Sequence, residues 1–60
     1  MSEVFKYNTK NTYEANYSVW KLMNDKEYRD IGQEPYSEQE SRRVFNEHYG
    51  SYSVKEKLMK

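Results

Sequence analysis

YEANYSVWKLMNDKEY, residues 13–28, is the stretch that decides the fold of this 60-residue chain. It contains the only Trp, three of the seven Tyr, and the apolar residues Val19, Leu22 and Met23 in one compact run. A domain of this size buries only about 60% of the surface that its unfolded chain exposes. Such a chain has room for one main core element, and residues 13–28 are the best candidate for it.

Two periodicities compete within this stretch. A period of 3.6 residues produces two adjoining apolar stripes, one of Tyr13, Tyr17, Trp20 and Asn24, the other of Ala15, Val19, Leu22 and Met23. A period of two alternates polar and apolar residues up to Val19 and favours a strand. The helix is preferred because the alternation ends there, because residues 21–23 are helix formers, and because opposite charges recur at i,i+4. A β-hairpin formed with residues 3–8 stays as the alternative.

Local signals set the ends of this helical segment, which we assign to residues 12–31. Thr12 is a good N-cap, and Glu14 places negative charge in the first turn, where the helix dipole favours it. Gly32 is the usual residue just after a helix. Because Asn24 and the Asp that follows it are also good N-caps, the segment either continues through them or is divided there into two helices.

The residues that precede the helical segment are polar. In residues 1–11, the apolar side chains of Val4, Phe5 and Tyr7 predict a short strand or an extended arm that lays Phe5 on the core. We assign residues 1–11 to such an arm.

The second half of the chain begins after a linker, residues 32–36, in which Pro35 keeps the preceding residue out of the α region. A Ser-x-x-Glu capping box starts at Ser37 and predicts a helix over residues 37–49. Gly50 is expected to end it.

The capping-box pattern occurs again at Ser53, and it predicts a short last helix over residues 53–60. The predicted fold is therefore a mainly α, single small domain of two to three helices with an extended N-terminal arm. The alternative is an α+β domain with an N-terminal β-hairpin.

The composition limits how this domain is stabilised. The chain has no Cys and one His, so disulfides, thiolate zinc sites and ordinary His-rich metal sites are excluded. Val, Leu, Ile and Phe number only nine, but the net charge is zero and ten residues are aromatic. Since each aromatic side chain buries a large area, we predict a folded core built mainly of Tyr.

Charge is distributed unevenly along the chain. Residues 21–41 contain three basic and six acidic residues, whereas residues 42–60 contain five basic and two acidic ones. The protein is therefore dipolar, with an acidic middle and a basic end. With a net charge of zero, no strong overall field favours nucleic acid or a membrane surface.

No set of residues in the sequence supports catalysis. Ser51 and Ser53 lie near His48, but a nucleophile needs an oriented base and an oxyanion site, which no nearby residues supply. The acidic residues at 25–34 lack the oxygen spacing and glycine of a calcium loop, and two glycines in all cannot build a phosphate-binding loop. We therefore expect no enzymatic activity, no cofactor and no metal.

The surplus of aromatic residues predicts a contact surface for a protein partner. Tyr, Trp, Met and Arg are the residue types that interfaces favour, and one thin core cannot cover all the tyrosines. The predicted partner-binding residues are the aromatic Tyr13, Tyr17, Trp20 and Tyr28, with Arg42 and Arg43 at the rim. The expected partner is a host protein or a second copy of the chain. In the second case the protein forms a homodimer.

Two other functions are alternatives. Residues 37–60 could form a helix–turn–helix that reads DNA, with Arg42 and Arg43 and the C-terminal lysines on phosphates. The last helix is barely two turns long, which weighs against this alternative. The other alternative is a self-assembling structural protein.

The block Asn16–Tyr28 resembles small uncharacterised tailed-phage proteins. Their shared pattern is Asn, two residues, an apolar residue and Trp, then three residues, Asn-Asp, two residues and Tyr; the usual Leu before Trp20 is here Val19. The resemblance implies a virus-encoded accessory protein that acts in a bacterial cytoplasm; it carries no known activity, so no functional residue transfers with it. The surplus of aromatic residues adds the expectation that the protein binds a host protein and inhibits it. No apolar h-region or membrane-length apolar run occurs, so a cytoplasmic location is the default expectation.

Overall fold

The computed structural model describes residues 4–58, with side chains through residue 55. Two helices account for most of this range, α1 (Tyr13–Asp30) and α2 (Glu38–Leu58). No strand occurs among residues 4–58, so the mainly α fold is confirmed and the alternative β-hairpin is not formed. Residues 4–8 form the arm, which has no regular secondary structure, and they lead through a turn into α1.

Both ends of α1 follow the local signals in the sequence. The Thr12 hydroxyl accepts a hydrogen bond from the Ala15 N–H at 3.1 Å, as expected of an N-cap. At the other end Gly32 has a φ of 77°, which favours glycine. The Gly32 N–H donates to the Arg29 carbonyl at 3.0 Å and the Gln33 N–H to the Tyr28 carbonyl at 2.8 Å. This paired arrangement is a Schellman motif.

α1 is not divided at Asn24 and Asp25, because residues 13–30 form one helix. Lys21 and Asp25 pair across one turn at 3.2 Å, and Lys26 pairs with Asp30 at 3.0 Å. Asp25 therefore supports the helix from inside rather than capping a new one.

α2 starts at the predicted place, although only half of the capping box is formed. The Ser37 hydroxyl accepts a hydrogen bond from the Glu40 N–H at 3.2 Å. The Glu40 carboxylate pairs with Arg43 one turn later. Ser37 therefore caps the helix, while Glu40 braces its outer surface.

The predicted end of this helix at Gly50 is wrong, because α2 continues to Leu58 as one helix of 21 residues. The predicted turn at residues 50–52 and the separate helix over 53–60 are therefore not formed among the described residues. The physical reason lies in the arm, since the Tyr7 ring stacks on Tyr52 at 4.0 Å and on Tyr49 at 5.7 Å. The continuous helix keeps these two residues on one face, and this packing offsets the roughly 1 kcal/mol that a helical glycine costs.

Phe45 on α2 is the centre of the core and has no exposed surface. Six aromatic rings have their centroids 4.9 to 6.3 Å from the Phe45 ring. They come from the arm (Phe5, Tyr7), from α1 (Tyr13, Tyr17, Trp20) and from α2 itself (Tyr49). The expectation that Phe5 would be laid on the core is confirmed, and the core is indeed built mainly of tyrosine.

A buried side chain of α1 positions the arm. Asn16 accepts a hydrogen bond from the Asn8 N–H at 2.8 Å and donates from its amide nitrogen to the Asn8 carbonyl at 2.9 Å. The same nitrogen also donates to the Thr12 carbonyl at 2.9 Å. Asn16 thus fixes the point at which the arm turns back along the helices and brings Phe5 and Tyr7 onto Phe45.

Candidate functional site

Two of the predicted contact residues are part of the core. Tyr13 is 8% exposed and Tyr17 is 4% exposed. The Tyr17 hydroxyl donates a hydrogen bond to Glu38 at 3.0 Å across the helix pair. Burial, and then this bond to a carboxylate, raise the pKa of Tyr17 above its ordinary value. In this structure both tyrosines join α1 to α2 instead of presenting a surface.

Tyr28 lies near the C-terminal end of α1 and pairs with the residue before the α2 cap. Its hydroxyl donates to the Tyr36 hydroxyl at 2.8 Å, and the two rings meet edge to face at 5.0 Å. The bond to Tyr36 raises the pKa of Tyr28. Tyr28 therefore holds the linker against α1, and its ring is not one of the six that surround Phe45.

Arg42 connects the two helices. Its guanidinium donates two hydrogen bonds to the Glu14 carboxylate, at 2.9 and 3.1 Å, and its central carbon lies 3.7 Å from the centre of the Tyr17 ring. The bond to Glu14 raises the pKa of Arg42. Because Arg42 packs on an aromatic face and binds a carboxylate in a fork, its role here is to join α1 and α2.

Arg43 is exposed and binds two carboxylates on its own helix, Glu40 and, at 2.7 Å, Glu47. Together with Arg42 it was the basis of the predicted DNA contacts. Both guanidinium groups face protein carboxylates, and α2 is continuous through residues 50–52. Residues 37–58 therefore do not offer the geometry of a helix–turn–helix.

Trp20 borders a solvent-accessible groove. The ring is half-buried and packs against Phe45 at 5.3 Å and Tyr17 at 6.1 Å. Beside it, the arm and the two helices enclose a groove of about 280 Å³. We call it the arm groove, and its lining residues are Val4, Phe5, Trp20, Met23, Asn24, Glu27 and Tyr49.

Five of the seven residues that line the arm groove are apolar or aromatic. Val4 is 80% exposed at its edge, and Met23 is half-buried. Glu27 is the one carboxylate among the lining residues, and the amide nitrogen of Asn24 is buried without a hydrogen-bond partner among the described residues. Asn24 lies on the same stripe of α1 as Tyr13, Tyr17 and Trp20. An apolar side chain at this position would avoid the free-energy cost of burying an unpaired amide group.

Sequence reasoning found Trp20 but did not find the arm groove. Val4 and Phe5 belong to the predicted arm and Tyr49 to the predicted helix over residues 37–49, so no periodicity brings the three together. The sequence does contain one signal for the groove, which is the group of apolar side chains in the otherwise polar arm. An arm that covers part of the core also forms one wall of any groove left between it and the helices.

Three of the four residues in the second apolar stripe of α1 face away from the core. Leu22 is 73% exposed and Val19 is 51% exposed, and Ala15 is also exposed. Of the four residues in this stripe, Met23 lines the arm groove, whereas Val19 and Leu22 are not among its lining residues.

The described residues contain no group of three or more His, Cys, Asp or Glu side chains placed to hold a metal ion. Neither described helix combines the length and the apolar character that a membrane span requires. Comparison with protein families, with curated proteins and with solved structures finds no match to this chain. The resemblance to tailed-phage proteins therefore stays a prediction.

Proposed function

We propose that this protein is a small non-enzymatic protein-binding module and that the arm groove is its contact surface. The observation that carries the proposal is the composition and placement of the groove. Trp20, Met23 and Tyr49 line a depression open to solvent, and the arm adds Val4 and Phe5 on its other side. Trp, Tyr and Met are enriched where protein interfaces are formed.

The chemistry of the arm groove supports binding rather than catalysis. Its lining provides a single carboxylate, Glu27, and no Ser, Lys or His to serve as a nucleophile or base. A depression lined by aromatic and apolar residues with a few polar groups is a usual form of binding site. The aromatic rings beneath it are packed on Phe45, so they present a preorganised surface that loses little conformational entropy on binding.

The resemblance to tailed-phage proteins supports the finer form of the proposal. In that form the chain is a phage-type accessory protein that acts in a bacterial cytoplasm by binding and modulating a host protein. No observation in the structure favours DNA binding as a second candidate.

Affinity capture from a bacterial lysate tests the proposal when it is done with two matched variants. Met23→Glu places a charge in the arm groove, whereas Leu22→Glu makes the same change one residue away on an exposed position. We expect a stoichiometric protein to be captured by the wild type and by Leu22→Glu and lost with Met23→Glu, while far-UV circular dichroism shows both variants folded.

Capture that both variants retain would place the contact surface elsewhere and contradict the proposal. A wild-type chain that captures nothing and also shows no self-association would likewise contradict it.

A further inference from the structure

We propose that the arm groove takes up an arginine side chain of the protein partner and that the guanidinium group pairs with Glu27. The inference rests on the proposed function, since it takes the arm groove as the contact surface and adds the chemistry of the group that fills it. Three features favour an arginine: an unpaired carboxylate in the groove, an apolar and aromatic path that leads to it, and a similar arrangement elsewhere in the molecule.

The carboxylate of Glu27 lacks a basic partner. Among the described residues, every other carboxylate except that of Glu34 forms an ion pair with a basic side chain. Glu34 lies in the linker and does not line the groove. No basic residue lies one turn away from Glu27 on α1, where the neighbours are Met23, Asn24, Asp30 and Ile31. Glu27 is therefore an exposed negative charge that a partner's cation can neutralise.

The position of Glu27 on α1 strengthens its attraction for a cation. It lies in the last turn of the helix, where the backbone carbonyl groups place partial negative charge. Arg29 is the basic residue of that turn, but residues two apart on a helix do not face each other. A cation bound at Glu27 therefore interacts favourably with the carboxylate and with the end of the helix.

The rest of the lining suits the stem of an arginine side chain. Arg packs its methylene groups along apolar surface and keeps its charged head near water, and its guanidinium also packs on aromatic rings, of which Trp is the most favourable. Trp20 and Met23 precede Glu27 by seven and four residues, so the three lie along one face of α1. The groove volume of about 280 Å³ is below the roughly 300–1,000 Å³ of sites that enclose a drug-sized molecule. A single long side chain is the better match.

Arg42 shows that this protein already holds an arginine between an aromatic ring and a carboxylate of α1. Its central carbon lies 3.7 Å from the centre of the Tyr17 ring, and it donates to the Glu14 carboxylate at 2.9 and 3.1 Å. Further along the same helix, the arm groove offers an aromatic ring and a carboxylate without a basic side chain. A planar guanidinium suits both groups better than an ammonium does, because it stacks and binds a carboxylate in a fork.

Titration of short blocked peptides into the isotope-labelled protein, followed by NMR, tests the inference. The probe is acetyl-Gly-Arg-Gly-amide, and the reporter is the indole N–H of Trp20, the only Trp in the chain. We expect this peptide to shift the indole resonance with a millimolar Kd, since one side chain makes few contacts. The same peptide with citrulline, which has the shape of arginine without its charge, should bind about tenfold more weakly or less. The lysine peptide should also bind more weakly than the arginine peptide.

Two variants that remove one negative charge each locate the site. Glu27→Gln removes the unpaired carboxylate of the groove and should weaken binding of the arginine peptide by about tenfold. Glu34→Gln removes the unpaired carboxylate outside the groove and should leave binding unchanged. Both side chains are exposed, so the circular dichroism spectra should match that of the wild type. Added salt should weaken binding, since the contact pairs opposite charges near solvent.

An arginine peptide that leaves the indole resonance in place at its highest soluble concentration overturns the inference. Equal binding of the citrulline or the lysine peptide overturns it as well, and so does binding that Glu34→Gln abolishes while Glu27→Gln does not.

Capture from a bacterial lysate separates this inference from the proposed function. If capture is lost with Met23→Glu but retained with Glu27→Gln, the arm groove is a contact surface and the arginine is wrong. If both variants retain capture and the arginine peptide does not bind, both proposals are wrong.

Discussion

Replacing Phe45 with Ala removes the side chain on which the arm and both helices converge. Phe45 has no exposed surface and is surrounded by six aromatic rings. Truncating a buried Phe to Ala costs about 3–5 kcal/mol, because the transfer free energy is lost and a cavity remains. At roughly 0.05–0.15 kcal/mol per residue, a chain of this length has a total stability of about 3–9 kcal/mol. Phe45→Ala should therefore remove from about a third to all of the free energy of unfolding.

Urea unfolding at fixed protein concentration measures this loss, since any self-association makes stability depend on concentration. Far-UV circular dichroism reports the helices, and the fluorescence of Trp20, whose ring lies 5.3 Å from Phe45, reports the core. Phe45→Leu keeps most of the volume and should cost less than about 1.5 kcal/mol. Val54→Ala, at an exposed position of the same helix, should change stability by less than about 0.5 kcal/mol. A Phe45→Ala protein as stable as the Val54→Ala control would refute the central place of Phe45.

Three further predictions follow from particular contacts. Gly50→Ala should stabilise the protein by about 0.5–1 kcal/mol, because Gly50 is helical and an added Cβ meets no atom closer than 3.9 Å. Gly32→Ala should destabilise the protein, because the φ of Gly32 is 77°. Thermal unfolding of the pair checks this, and a destabilised Gly50→Ala would show that the helix ends where the sequence alone predicted. Asn16→Ala should lower the free energy of unfolding by about 1–3 kcal/mol, because it leaves the Asn8 N–H and carbonyl without their buried partner. It should also speed amide hydrogen exchange in residues 5–8. Asn46→Ala, at an exposed position, is the control. Tyr17 has its pKa raised by burial and by Glu38, so the folded state holds this proton more tightly than the unfolded state; the contribution of Tyr17 is complete below the ordinary pKa of 10.0 and is lost as pH rises through the folded pKa. Thermal unfolding followed through this alkaline range should show a loss of stability that is smaller in Tyr17→Phe, and equal slopes for the two proteins would contradict the assignment.

The ends of the helices could be predicted because they depend on a few neighbouring residues. Thr12, Ser37 and Gly32 act where the sequence places them, since each cap is decided by hydrogen bonds within one turn. Gly50 could not be predicted in the same way. Its local preference favours an end, and what overrides it is the stacking of Tyr7, distant by more than forty residues, on the helix beyond it.

The candidate site shows the same division. Trp20 was expected at a contact surface from its residue type, and it does line the arm groove. Tyr13 and Tyr17 have the same composition signal but are buried, because they lie on the side of α1 that meets Phe45. Residue type indicates which side chains suit an interface, while exposure depends on the segments that pack against them.

The sequence by itself determined the mainly α fold, the three caps and a core made largely of tyrosine, because periodicity, capping and composition act locally or through sums over the chain. Only the tertiary structure decided that α2 is continuous, that Phe45 rather than residues 13–28 alone is the centre, and that the open surface lies beside the arm. These features depend on contacts between the arm, α1 and α2, and the free energy of such contacts exists only once the three segments meet.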